Sequence, residues 1–534
     1  MPVATPGTAP SSVPAASQGA APASIPAATP VAPGTLQSIP AATPAKRDTL
    51  PSIPAATKAQ PDTVPAVAPA QPAEKQSLLA MPPYAPEVNL PKDHLGSTYI
   101  PVDSPIYAMA VRLYSLGYLD SAFISMRPWT RRSLLHMLEK TQNDAVRDGD
   151  VEAESIVARL EDMLADESRP GGRGTVYGID TVYARVMGIN GLPLRDGYHL
   201  GQTIVNDYGR PYAEGFNALA GFSSVNEWGR FSLYVRGEYQ HAPSWDGYSF
   251  AMAQQLSCTD EICPFLPPNN PQATIPYGKY VDAQNPFRLQ EATLSFHLLG
   301  HEFSGGKSDV WQGPGLGGAM GWSNNAENIY SFRINRVEPL YIPLISRILG
   351  PLRYDFFVGS LQGHTAPNNP WVHSEQFSLR PTKNFEFAFQ RTVIWGGKDH
   401  QPVTLHTFLR SFFSLVDTQG NPGSKLTADD PGARFSSFSF SYRLPWFARG
   451  VTLYTDMEAH DDVSPVSAPR RAAYRPGILF SHLPGMPRME FRVEGMSTDS
   501  STRTSDAGRF MYYEVIQRQG YTNKGQLFGD WVGR

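Results

Sequence analysis

The sequence predicts a mainly β protein: a large outer-membrane antiparallel β-barrel of about 16 to 18 strands, preceded by a small helical bundle and a disordered Pro/Ala-rich N-terminal segment. Three observations carry this. Bulky apolar residues alternate with polar ones in short runs from about residue 175 to 534, the period is helical between 95 and 170, and residues 1–85 are dominated by Pro and Ala.

The alternating runs define the wall. In Phe231-Ser232-Leu233-Tyr234-Val235-Arg236-Gly237-Glu238 one face reads Phe, Leu, Val and the other Ser, Tyr, Arg, Glu, and Met489-Glu490-Phe491-Arg492-Val493-Glu494 repeats the pattern. Strand side chains point alternately to opposite faces. A soluble sandwich also alternates, but Arg and Glu in strand after strand suit a polar lumen with the oily face turned to lipid. Phe231, Leu233, Val235, Met489, Phe491 and Val493 are thus expected to face lipid, and Arg236, Glu238, Glu490 and Arg492 the lumen. Strand starts recur about every 15 to 25 residues, including runs near Thr175, Tyr198, Gly215, Phe287, Tyr330, Thr404, Ser436, Met489 and Arg509. The long connections 242–286 and 417–434 are expected to be extracellular loops.

Composition agrees. A net charge of −4 over 534 residues and a pI near 6.3 give no electrostatic footprint for nucleic acid. A mean hydropathy of −0.31 is ordinary for a barrel, in which only alternate residues meet lipid, and aromatics at 11% suit interfacial girdles. No apolar stretch reaches the roughly 18 to 20 residues of a spanning helix.

Residues 1–85 repeat Ser-Ile-Pro-Ala-Ala-Thr from Ser24, Ser38 and Ser52. Such a segment cannot bury a core and reads as a semi-extended spacer, either a periplasmic tether or neutral low-complexity sequence. The chain opens without a basic and apolar leader, so a secretory signal is expected upstream. It stops at Gly533-Arg534 just past a turn, so one or more closing strands are expected downstream, with a gap or distorted seam between the strands near Thr175 and Arg509.

Residues 95–170 form the expected periplasmic helical bundle, ahead of a barrel spanning 175–534. Ser104 followed by Pro105 is a helix start, and Ile106, Met109, Ala110, Leu113 and Leu116 make one stripe ended by Gly117. A second helix starts at Thr130 and buries Leu134, Leu135 and Leu138. A third carries Ile156, Val157, Leu160, Met163 and Leu164.

Catalytic patterns are sparse. Gly313-Pro314-Gly315-Leu316-Gly317-Gly318 has dinucleotide-loop spacing but no βαβ unit around it, and Gly306-Lys307-Ser308 lacks the earlier glycine of a phosphate loop. Asp456 and Glu458 share a strand face and could serve as acid and base, yet acidic residues are expected of any lumen wall. His364, His373 and His406 read as lumen or loop residues. Cys258 and Cys263 are separated by four intervening residues in a loop-like stretch, which favours a small disulfide over a metal site needing four ligands.

The densest cluster is Trp311-Gln312-Gly313-Pro314-Gly315, with Ser323-Asn324-Asn325, Arg333 and Arg336 close behind. Trp offers a flat face for sugar C–H groups, Asn and Arg supply donors for hydroxyls and carboxylates, and Gly lets backbone lie against a ligand. The same residues would serve equally to pack a constriction inside a barrel.

Together with Leu95-Gly96-Ser97-Thr98-Tyr99-Ile100-Pro101, Arg127-Pro128-Trp129-Thr130-Arg131-Arg132 and Ser323-Asn324-Asn325-Ala326, the run Trp311–Gly315 resembles the Wzi-type capsule assembly proteins. The likeness spans about residues 90–534. It implies an outer-membrane barrel with a periplasmic helical bundle that anchors capsular polysaccharide or exopolysaccharide at the cell surface as a lectin, without cofactor, metal or catalysis. Partners are then the polysaccharide and outer-membrane lipid, for a chain acting as a monomer. Two departures stand out: the N-terminal spacer, and Ser133 where family members carry Glu, which weakens the capping box of the second helix. The alternative function is an outer-membrane porin or polysaccharide export channel.

Overall fold

The computed structural model describes residues 95–165, 175–191, 204–247, 249–259, 280–365, 367–398, 400–413, 432–445, 450–460, 472–497, 512, 517 and 519–533. The spacer and the regions near Tyr198 and Arg509 lie outside these residues.

Helices α1 (Pro105–Leu116), α2 (Arg131–Asp148) and α3 (Val151–Met163) come first, with the two-residue strand β1 (Met126–Arg127) between α1 and α2. Ser104 caps α1 by accepting from the Ile106 amide, and Gly117 ends it at φ 98°, a left-handed conformation open to glycine. The cap of α2 is stronger than expected. Ser133 Oγ accepts from the Thr130 amide at 3.1 Å while Thr130 Oγ1 accepts from the Ser133 amide at 3.2 Å, so a hydroxyl closes the reciprocal pair that Glu usually closes. The apolar stripes of the three helices form one core with Tyr454 and Leu479 of the wall. Among the sequence-derived stripe residues, Leu135 is only half-buried and Met163 is exposed.

The wall opens with β2 (Thr175–Ile189), β3 (Gly215–Trp228) and β4 (Phe231–His241). A small ribbon, β5 (Trp245–Asp246) with β6 (Tyr280–Val281), precedes β7 (Phe287–Leu298) and β8 (His301–Lys307). A short inner strand, β9 (Trp311–Gln312), comes before β10 (Tyr330–Arg336), β11 (Leu352–Ser360), β12 (Trp371–Thr382) and β13 (Phe385–Trp395). Then follow β14 (Ala433–Arg443), β15 (Val451–His460), β16 (Ala473–Phe480), β17 (Phe491–Glu494) and the hairpin β18 (Thr522–Asn523) and β19 (Gln526–Leu527). Thirteen of these pair in one antiparallel meander from β2 to β17. These thirteen, with β2 and β17 outermost, are the ones among the described residues; the expected strands near Tyr198 and Arg509 lie outside them.

Its two faces are inverted relative to a soluble protein. Phe332 is 72% and Tyr177 80% exposed on the outside, while Arg333, Arg353, Asp355, Glu386 and Asp456 are buried inside, the arrangement of a membrane barrel. Phe231, Phe491 and Val493 lie on the outer face with Arg236 and Glu238 buried. Met489 and Glu490 precede β17, both exposed.

One end of the meander has short turns such as Leu299–Gly300, where both residues have positive φ, the hairpin geometry that matches strand twist. The other end carries the long connections.

Four expectations need correction. The run after Thr404 is a helix, Leu405–Phe413. Its apolar residues Leu405, Phe408, Leu409 and Phe412 repeat at helical spacing, and Thr404 and Thr407 exchange hydrogen bonds at 3.0 and 3.2 Å as a cap. β8 was not anticipated, because its two glycines leave Phe303 as the lone bulky outward residue. The connection 242–286 contains a helix, Phe250–Thr259, so Cys258 sits on helical backbone; Cys263 is outside the described residues. Finally, residues 519–533 pack inside the lumen instead of extending the wall: Tyr521, Leu527 and Phe528 share a core with Phe357, Ile394 and Phe435 of the inner face.

Candidate functional site

Two segments enter the lumen from opposite ends, alongside residues 519–533. Residues 97–131 rise from the helical layer and bond strands around most of the wall: the Thr98 amide donates to Glu227 Oε1 (2.5 Å), Arg236 donates to Asp103 (2.8 Å), the Ile124 and Ser125 amides donate to Glu386 (2.8 and 3.1 Å), and Thr452 Oγ1 donates to Ser115 (2.8 Å). Residues 308–329, linking β8 to β10, descend from the other end. The segments meet where β9 pairs with β1, Met126 opposite Gln312 and Arg127 opposite Trp311.

The structure brings most of the sequence-derived site residues together here, as packing. Trp311 is 3% exposed. Its Nε1 donates to the carbonyls of Gly313 (3.2 Å) and Gly315 (3.1 Å), while Arg127 Nη2 donates to the carbonyls of Pro314 (3.0 Å) and Gly315 (3.1 Å). Ser323 Oγ donates to the Gly529 carbonyl (2.7 Å), Asn325 Nδ2 to that of Leu527 (3.2 Å), and Asn324 accepts from the Tyr208 amide (2.7 Å). Trp322 stacks on Phe528 with centroids 3.9 Å apart. Arg333 makes a bidentate pair with Asp355 at 2.8 and 2.5 Å. Arg336 stands apart at the short-turn end, bonded to the Glu338 carbonyl (2.6 Å).

The far wall is engaged as well. Glu494 of β17 accepts from the Leu316 and Gly317 amides at 3.0 and 2.9 Å, and the Gly317 carbonyl accepts from Asn206 Nδ2 at 2.7 Å. Asp456 accepts from the Met320 amide at 2.5 Å. Asp456 and Glu458 are both buried. His373 bonds Glu375 and Ser411 on the outer face of β12, beneath the Leu405–Phe413 helix, whereas His406 is exposed.

The space left open lies at the long-connection end. A cavity of about 450 Å³ is bounded by the starts of β7 and β10, the ends of β8 and β11, and the β18–β19 hairpin, with Arg288, Lys307, Glu327 and Lys524 on its lining. Glu327 is held between Lys307 (2.5 Å) and Lys524 (2.8 Å). Burial opposes its ionisation, yet the two ammonium groups hold the carboxyl below its usual range. Nearby, His364 Nε2 donates to the Thr522 carbonyl at 2.8 Å, and burial pulls its imidazole down to about 4. Of these, only Lys307 stands in a run conspicuous in the sequence; no spacing links it to Arg288 or Lys524. Among the described residues no cluster of His, Cys, Asp and Glu is arranged to hold a metal.

An apolar outer face, a polar inner face and a filled lumen define a plugged transmembrane β-barrel. The chain belongs to the Wzi capsule assembly protein family, whose model matches residues 184–534. Among solved structures it is similar to Wzi of Escherichia coli, described as an outer-membrane, carbohydrate-binding β-barrel involved in group 1 capsule assembly. The TM-score is 0.56 at 17% identity, covering 82% of this chain and 79% of that one. No curated protein matches the sequence.

Proposed function

We propose that this outer-membrane protein binds capsular polysaccharide or exopolysaccharide at the cell surface and holds it there, as a monomeric lectin-like anchor without catalysis. The filled lumen carries the reading: two inward segments joined at β1 and β9 occupy the path a porin or export channel would keep open. On this reading the polar cavity at the long-connection end receives the ligand, that end lies outside the cell and the helical layer lies in the periplasm. The apolar face of the wall meets lipid.

The test is deletion of the gene with fractionation and microscopy of cell-bound against shed polysaccharide. Loss of the bound layer with undiminished total polymer supports the anchor. Unchanged attachment, or polymer trapped inside the cell, would refute it, the second in favour of export. Shortened glycan chains after incubation with the pure protein would instead mark a hydrolase.

A further inference from the structure

The geometry points to the mouth cavity as a subsite for a negatively charged sugar unit, a hexuronate or similarly carboxylated residue of the polysaccharide. This rests on the anchor reading and adds the ligand's charge and location. Three cationic side chains, Arg288, Lys307 and Lys524, line the cavity against a single carboxylate, Glu327. Glu327 is already shared by the two lysines, whereas Arg288, half-buried, makes no hydrogen bond or salt bridge with any described residue. A guanidinium with its donor fork unused, beside two ammonium groups that share one counter-charge, is a receptor for a carboxylate.

The rest of the lining suits a sugar. Tyr330 presents an aromatic ring and Gln362 an exposed amide, groups that fit C–H faces and hydroxyls. The volume falls within the roughly 300–1,000 Å³ of small-ligand sites. A purely structural role would leave this excess charge unexplained, since every other arginine pair described above is closed by a carboxylate or carbonyl.

The experiment uses the full chain in detergent with two probes differing only in charge: tetragalacturonate and its carboxyl-reduced, neutral counterpart. Calorimetry should show the charged probe binding at least tenfold tighter, with affinity falling as salt rises. Arg288→Gln should abolish most of that preference and Arg288→Lys restore part of it. Should Arg288→Gln fail to give a barrel that migrates anomalously on unheated gels, Lys524→Gln, whose side chain is 46% exposed, takes its place.

Equal binding of both probes would overturn the charged subsite and leave the anchor standing. Unchanged preference in the variants would overturn its location, and failure of both probes to bind would overturn the subsite. The anchor itself is judged separately by cell-bound polymer. Lipopolysaccharide phosphates are the other anions at this surface, so displacement of bound lipopolysaccharide by inorganic phosphate but not by tetragalacturonate would also overturn it.

Discussion

At the scale of single residues, the side of the wall decides what a substitution does. Phe332 lies on the outer face of β10 next to Arg333 on the inner one. Phe332→Arg should cost about 2 to 4 kcal/mol if it lies near the bilayer midplane, measured by reversible unfolding from lipid vesicles. Arg492→Gln on short β17 should change stability by less than about 0.5 kcal/mol. Equal costs would contradict the lipid-facing assignment.

His364 makes a second residue-scale prediction. Its folded pKa, near 4, is below the ordinary value of 6.5, so its neutral form is the one that folding prefers. The stability it contributes is present above pH 6.5 and lost as pH falls towards 4, about 3 kcal/mol in all. The protection factors of amides in the β18–β19 hairpin, corrected for the intrinsic pH dependence of exchange, should therefore fall across that window. His364→Gln should flatten the response, and an unchanged response would show that another group governs it.

At the scale of elements, one wall carboxylate anchors two successive amides of the inward segment of residues 97–131. Glu386 of β13 accepts from the Ile124 and Ser125 amides and from Ser378 Oγ. Glu386→Ala leaves three buried donors without a partner, at about 1 to 3 kcal/mol each as an upper range. Hydrogen exchange at Ile124 and Ser125 should speed up while the helical core keeps its protection; uniform loss would mean that the segment and the core unfold together.

The elements also show what was legible in the sequence. Alternation revealed the wall because one face is apolar along most strands, and α1 to α3 were legible from their stripes and caps. β8 was not, since Gly305 and Gly306 erase the pattern, and the Leu405–Phe413 helix was mistaken for a strand because its phenylalanines suit either period. The Trp311 and Ser323–Asn325 runs were conspicuous, but their partners lie far away in sequence: Ser323 bonds Gly529 and Gly317 bonds Glu494. No local period encodes such contacts, so the plug and the cavity beside it could be read only in three dimensions.

At the scale of the whole molecule, the plug predicts poor conduction. In planar bilayers the intact protein should pass little current, and replacing residues 313–320 with a short Gly linker should produce discrete open steps. Large currents from the intact chain would favour the porin alternative. Loss of the folded barrel in the deletion would show instead that the plug is needed to build it, which the contacts of residues 97–131 around most of the wall make a distinct outcome.

A tie runs beneath the wall between its two outermost strands. Arg185 of β2 pairs with Asp207 at 2.5 Å, the neighbouring Asn206 reaches the Gly317 carbonyl, and the Gly317 amide reaches Glu494 of β17. The path from one outermost strand to the other thus runs through Asp207, Asn206 and Gly317. An internal former couples the two outermost strands of the meander, so that a slip of either one along its neighbour is felt by the plug at Gly317.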